Sequence, residues 1–396
     1  MCYTLHTMIK REIEETLLSL SRGYPVVAVT GPRQSGKTTL VRGVFPEKDY
    51  VSLENPDVRE RAQQDTRGFL EKYKAGAVID EVQLVPEIFS YLQQIIDESE
   101  QCGLFILTGS QQFGMMSGIT QSLAGRAAIV QLLPFSYNEW YGRQKPTNTL
   151  DEILFKGLYP PVHDRNLDPG IWYSNYMQTY IERDVRKIVN VKDLSTFQRF
   201  LRLCAGRIGQ LMNFSEIAND CGVSHNTIRS WTSILEASYI IFQLQPYHKN
   251  FNKRIIKTPK LYFHDTGLAC RLLSIQSHEQ LNTDSRRGAL FESWVISEAL
   301  KKRFASGLTG DYYFWRDRTG NEVDLISDRG EQLVSAEIKS GSTFHPSSTE
   351  SLDKFTTFAK GTAVRPVLIF GGDQSFSFNE TRIYPWYSET EWFAEL

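Results

Sequence analysis

The stretch Gly31-Pro-Arg-Gln-Ser-Gly36-Lys37-Thr38 satisfies the phosphate-loop pattern G-x-x-x-x-G-K-[ST] at every position. No other stretch constrains the fold as much, because this pattern works only between a strand and a helix. Both flanks comply. Residues 25–30 are an apolar run of the length of a buried parallel strand, and a helical pattern follows Thr38. Glycines let backbone N–H groups approach phosphate oxygens closely, and a helix N-terminus adds favourable potential for an anion. Gly31, Pro32, Arg33, Gln34, Ser35, Gly36, Lys37, Thr38 and Thr39 are therefore expected to cradle ATP. Lys37 would reach the β- and γ-phosphates, and Thr38 would hold Mg2+.

Four more short apolar runs, at 50–53, 76–80, 104–108 and 127–132, alternate with helical patterns. That alternation predicts a parallel α/β sheet covered on both faces. The third run ends in Asp80-Glu81. Asp80 would sit beside the Mg2+ shell, and Glu81 would orient and polarise an attacking water. Ser110 follows the fourth run and would lie between the two motif strands as a sensor of the γ-phosphate. Arg126 precedes the fifth and would point across a subunit boundary at a neighbour's nucleotide, which implies a homo-oligomer. Simpler alternatives stay open: a helix cap for Glu81, a turn for Ser110 and a surface ion pair for Arg126.

Residues 23–140 resemble an AAA+ type ATPase module. More narrowly, GPRQSGKTTL, AVIDEVQ, LTGSQQF and LAGR followed by LLPFSYNEW resemble a widespread prokaryotic ATPase family whose C-terminal domain has long been labelled uncharacterised. Tyr180-Ile-Glu-Arg183-Asp184 and Tyr262-Phe-His-Asp265-Thr-Gly267-Leu look like that family's middle segment. The resemblance spans nearly the whole chain and implies an ATPase dependent on Mg2+. AAA+ proteins usually carry Asn where this chain has Ser110, and Arg183 is the one candidate for a second sensor arginine.

Beyond residue 150 the pattern turns mainly helical. Residues 214–242 read as a helix-turn-helix followed by a short strand, with Ile217, Ala218, Val223, Ile228 and Leu235 as packing positions. His225, Asn226 and Arg229 would face outward, as on a helix that enters a DNA groove. Lys249, Lys253, Arg254, Lys257 and Lys260 form a basic stretch that suits a wing against phosphates. Packing or protein contact explains this fold equally well.

From residue 288 a helix, three strand patterns (311–316, 322–327, 333–340), a helix and a strand follow. This order, with Asp324 and Glu337-Ile-Lys339, resembles the restriction-endonuclease-like fold. Asp324 and Glu337 would bind Mg2+ or Mn2+, Lys339 would activate a water, and Glu292 on the preceding helix would complete the site. Two readings stay open: a metal-dependent nuclease, or a fold kept for binding. The expected domains are 1–140 (P-loop, AAA+ like), 141–200 (helical linker or lid), 201–284 (winged-helix-like) and 285–396 (restriction-endonuclease-like).

Composition closes some alternatives. An odd count of five cysteines without a Cys-x-x-Cys pair argues against a disulfide scaffold or zinc knuckle. No apolar run approaches the ~20 residues that span a bilayer. Nor does the N-terminus read as a secretory signal. No membrane partner is expected, and a cytoplasmic protein follows. The formal net charge of −2 conceals a division. Residues 165–260 hold 14 Lys and Arg against 7 Asp and Glu, so the basic excess coincides with the helix-turn-helix. DNA is thus the expected partner through 214–260 and the C-terminal domain, with protein partners left unknown.

Overall fold

The computed structural model describes residues 9–99, 101–110, 112–142, 145–181, 194–247, 258–359 and 361–396. The chain divides into two compact units. The first comprises residues 1–135, 237–239 and 301–309, and the second the remainder.

The first unit is built on a parallel sheet of β1 (Val26–Thr30), β2 (Asp49–Ser52), β3 (Ala77–Asp80), β4 (Phe105–Gly109) and β5 (Ala127–Gln131), in the order β2-β3-β4-β1-β5. All five strands correspond to the apolar runs. Every residue of β1, β3 and β4 is buried, so alternation within the runs assigns residues to faces rather than to core or solvent. Val26, Ala28, Ala77, Ile79, Phe105 and Leu107 feed one core. Val27, Val29, Val78 and Ile106 feed the other, against α1 (Glu14–Gly23) and α2 (Lys37–Val44), which bring Leu17, Leu40 and Val41. Because β4 lies between β1 and β3, its C-terminal end separates the phosphate loop from Asp80-Glu81. Residues distant in sequence complete the unit. The Tyr239 hydroxyl donates to Thr30 Oγ1 (2.7 Å), and Lys301 Nζ donates to the Phe135 carbonyl (2.8 Å).

The second unit begins with helices. Among them are α3 (Leu194–Gly206), α4 (Phe214–Cys221) and α5 (His225–Ala237). Asn213 caps α4 through the Glu216 N–H, and Gly222 takes the left-handed turn that separates α4 from α5. Phe197 and Phe200 of α3 meet Trp231 of α5, while Ile217, Ala218, Ile228 and Leu235 are buried. His225, Asn226 and Arg229 are exposed.

An eight-stranded sheet follows, from β6 (Ile241–Pro246), β7 (Lys260–Phe263), β8 (Tyr312–Arg316), β9 (Glu322–Asp328), β10 (Gln332–Lys339), β11 (Ala363–Phe370), β12 (Phe376–Phe378) and β13 (Thr381–Pro385). Its order is β12-β13-β11-β10-β9-β8-β6-β7. Beside its strands run α6 (Thr266–Leu272), α7 (Arg287–Ala305) and α8 (Glu350–Phe358). β6 pairs with β8, Gln245 beside Tyr313, so the strands expected to end a winged-helix segment continue the C-terminal sheet across the expected boundary at 284. Trp315, Trp386 and Trp392 are buried core residues.

The Tyr262–Leu268 motif acquires a structural meaning here. Asp265 caps α6 through the Leu268 N–H (2.9 Å), and its other oxygen accepts from the Leu158 N–H (2.7 Å). Gly267 lies so close to Tyr173 that an added Cβ would stand 2.5 Å from the ring. One buried carboxylate thus ties two remote segments together. Replacing Asp265 with Ala should cost about 3 kcal/mol, two charge-assisted hydrogen bonds being lost. Urea unfolding of the wild type and Asp265→Ala measures that difference.

Candidate functional site

The phosphate loop is shaped by its glycines. Gly31 has φ 151°, and a Cβ there would stand 2.1 Å from the Leu132 carbonyl oxygen. Gly36, at φ 93°, turns the chain into α2 so that successive N–H groups can face a phosphate. Lys37 opens that helix and is buried. Its ammonium donates back to the loop carbonyls of Gly31 (3.0 Å) and Pro32 (2.8 Å). Burial lowers its pKa to about 8, against the opposing pull of Glu81 and Asp80 and with Arg33 adding to the drop. Ser35 Oγ is buried with no hydrogen-bond partner among the described residues. A poorly compensated cation and an orphaned hydroxyl in one loop fit an anionic ligand with many acceptor oxygens.

Thr38 and Asp80 supply the oxygen donors suited to Mg2+. Thr38 Oγ1 lies 3.2 and 3.3 Å from the two oxygens of Asp80. The Asp80 carboxylate also accepts from Tyr50 (2.7 Å) and from Thr108. Burial, then the Asp80 hydrogen bond, pushes the Tyr50 phenol well above its usual range, so it remains a donor.

Glu81 leaves the strand with φ 55° and ψ 45°, a left-handed conformation uncommon for a residue with a side chain. Its N–H donates to Thr108 Oγ1 (3.4 Å). One carboxylate oxygen accepts from both Ser110 Oγ (2.9 Å) and Gln83 Nε2 (2.6 Å). Ser110 therefore touches the glutamate, and β4 reaches both acids through Thr108 and Ser110. Arg126 makes a two-pronged ion pair with Asp97 on the surface of this chain (2.6 and 3.1 Å). Arg183 lies outside the described residues.

The sequence reading missed Thr108, Tyr50, Gln83 and Arg11. Thr108 could have been found, since it is a polar residue ending an apolar strand beside the motif. Arg11 gives no such signal. It is buried, donates to the carbonyls of Ser35 (2.9 Å) and Leu133 (2.8 Å), and stacks on Phe135. It thereby braces the loop from behind.

In the second unit, the C-terminal residues meet differently from expectation. Carboxylate oxygens of Glu292, Glu322 and Asp324 lie within 4.8 Å of one another. Glu337 stands beside Asp324 across the β9–β10 pairing, but its oxygens accept from Lys339 and from Ser351 Oγ (2.8 Å). Burial and then the Asp324 charge raise Glu337 to about 8. Burial and Asp324 raise Glu292 to about 7, against the pull of Lys260. Glu322 is the residue that sequence reasoning passed over, although it shares the face of Asp324 two positions away.

Lys260 requires a correction. Read as part of an exposed basic wing, it is 2% exposed and lies on β7. Its ammonium pairs with Glu292 Oε1 (2.9 Å) and Glu322 and stands 3.9 Å from Asp324. Four other basic residues of that stretch, Lys249, Lys253, Arg254 and Lys257, lie outside the described residues.

Comparison with known proteins now adds the family. Residues 23–141 match the "AAA domain", residues 147–279 a "Domain of unknown function (DUF8612)" and residues 287–388 a "Domain of unknown function (DUF4143)". The uncharacterized protein Rv2008c of Mycobacterium tuberculosis is 30% identical over 362 residues, covering 90% of this chain and 79% of that protein. The chain belongs to its family. An uncharacterized protein of Haemophilus influenzae is 24% identical over 346 residues, covering 79% of this chain and 82% of its own. Among solved structures, the Walker-type ATPase PABY2304 of Pyrococcus abyssi is 16% identical, with a TM-score of 0.46, over 68% of this chain and 97% of that one. The N-terminal domain of this chain is an AAA-type P-loop ATPase domain. No helix among the described residues is long and apolar enough to cross a membrane.

The lowered pKa of Lys37 gives ATP binding a pH signature. Phosphate favours the charged amine, so binding takes up a proton wherever the free protein has lost one. Affinity should therefore fall as pH rises through about 8, by at most about tenfold per pH unit. Calorimetry in two buffers of different ionisation enthalpy should record proton uptake growing over the same range.

Proposed function

We propose that the first unit binds ATP, hydrolyses it with Mg2+, and drives the protein's action on DNA. The observation that carries the hydrolytic reading is the separation of duties between Asp80 and Glu81. Asp80 is bound to Thr38, Tyr50 and Thr108, an arrangement that holds a carboxylate still beside the loop. Glu81 turns away from it and keeps one oxygen pinned by Ser110 and Gln83.

On this reading the backbone N–H groups of residues 33–38 and the Lys37 ammonium bind the phosphates, Lys37 leaving the Gly31 and Pro32 carbonyls to do so. Thr38 and Asp80 would hold Mg2+, which when bound neutralises charge on the phosphate oxygens. The Glu81 oxygen not engaged with Ser110 and Gln83 orients a water toward the γ-phosphate. Ser110 is a positioning residue for that carboxylate and couples it to the end of β4. Arg126 can serve a neighbouring copy once its pair with Asp97 opens, which makes self-association part of the proposal.

Phosphate release tests the reading. Wild type should turn over Mg2+-ATP. Lys37→Ala should lose ATP binding, while Glu81→Gln should keep it and hydrolyse about 100-fold more slowly or worse. Failure of the wild type to bind ATP would sink the proposal.

The DNA limb draws support from the basic balance of residues 165–260 and from the exposed His225, Asn226 and Arg229 at the start of α5. Binding to duplex DNA, followed by fluorescence anisotropy, should weaken with salt. Arg229→Ala should reduce the logarithmic salt slope by about 1. A wild-type protein that ignores DNA at low salt would turn the proposal toward protein partners. Between cleaving and merely binding, the ion pairs of Lys260 favour binding.

A further inference from the structure

The acidic cluster of the second unit has the dimensions of a divalent-cation site. Three carboxylates from α7 and β9 converge, with oxygens within 4.8 Å of one another, and oxygen-rich shells of that size hold Mg2+ or Mn2+. Two of the three, Glu292 and Asp324, belong to the set expected to serve a metal-dependent nuclease, which makes such an ion the expected occupant. The residues present do not fit it. The Lys260 ammonium already stands among those carboxylates, 2.9 Å from Glu292 Oε1, in contact with Glu322 and 3.9 Å from Asp324 Oδ1.

Several observations make this more than a passing surface pair. Lys260 is 2% exposed, so withdrawal would require a route through the packed interior. Its backbone is held on two sides, beside Leu244 of β6 and by a bridge to Leu211. The rings of Tyr262 and Phe314 lie 6.0 and 5.5 Å from the ammonium. The carboxylates have further donors. Tyr262 donates to Glu292, Arg316 pairs with Glu322 (3.2 Å), and the Ile338 N–H donates to Asp324 Oδ2 (2.9 Å). Removing one partner from such a buried set leaves uncompensated charge, which is far costlier than a lost surface pair.

We propose that Lys260 is the resident cation of this cluster, standing where a divalent metal would bind, so that Glu292, Glu322 and Asp324 hold no catalytic metal ion. The cluster then serves as a structural joint: one ammonium fastens β7 to α7 and β9. The inference does not depend on the ATPase reading, since it concerns only residues of the second unit.

Mn2+ alone is the probe, titrated by electron paramagnetic resonance into the full-length, nucleotide-free protein. Wild type and Asp324→Asn should bind Mn2+ indistinguishably. Lys260→Met should gain one Mn2+ per chain, at least ~10-fold tighter than any wild-type binding, and lose it when Asp324→Asn is added. The proposal is overturned if wild type binds one Mn2+ that Asp324→Asn abolishes, or if folded Lys260→Met gains none. Thermal unfolding with and without Mn2+ covers a destabilised variant. Mn2+ should restore a cooperative transition to Lys260→Met and leave wild type unmoved, and stabilisation of wild type lost in Asp324→Asn counts against the proposal.

Discussion

A charge taken out of water must be matched by other charges or by hydrogen bonds, and this constraint organises both units of the protein. In the first, Arg11, Lys37, Asp80 and Glu81 are all buried. Arg11 donates through its terminal nitrogens to backbone carbonyls, Asp80 accepts from three hydroxyls, and Glu81 accepts from Ser110 and Gln83. Lys37 donates to two carbonyls of its own loop, and burial lowers its pKa. A buried ammonium whose pKa is lowered gains from the approach of an anion. In the second unit the matching is internal: three carboxylates share the Lys260 ammonium and take further donors from Arg316, Tyr262 and the Ile338 N–H.

The same polar chemistry therefore has opposite consequences in the two units. Around the phosphate loop, Ser35 Oγ has no partner among the described residues and the Lys37 amine is folded onto its own loop, so a ligand with many acceptors improves both. Around Glu292, Glu322 and Asp324, donors already arrive from Lys260, Tyr262, Arg316 and the Ile338 N–H, and a cation would have to displace some of them. Whether a cluster of acids and bases is a site depends less on which residues are present than on what they still lack.

Much of the first unit was legible in the sequence because its signals are local. Each buried strand is an uninterrupted apolar run, the loop is a contiguous motif, and Asp80-Glu81 terminates a strand. The second unit was harder to read for physical reasons. β6 and β7 join a sheet whose other strands lie more than 40 residues further on, and nothing in their composition announces that pairing. β12 and β13 are three and five residues long, joined through a left-handed Asn379, and carry too little pattern to stand out. Lys260 belongs to a run of basic residues that reads as solvated, and only the fold shows that it alternates inward. Glu322 was detectable by its two-residue spacing from Asp324, whereas Arg11 acts through carbonyls more than 20 and more than 120 residues away.

Tyr239 and Lys301 carry a consequence for the ATPase domain as a heritable piece. The hydroxyl of Tyr239 satisfies Thr30 at the end of the first strand, and Lys301 closes the Phe135 carbonyl just after the last. Both belong to the first unit, yet each is encoded a hundred residues or more beyond its partner. A fragment ending near residue 141 would keep every phosphate motif and still lack these two closures. The unit is continuous in space and discontinuous in sequence, so a transplanted segment ending near residue 141 would carry the phosphate motifs without the two hydrogen bonds that later segments bring to it.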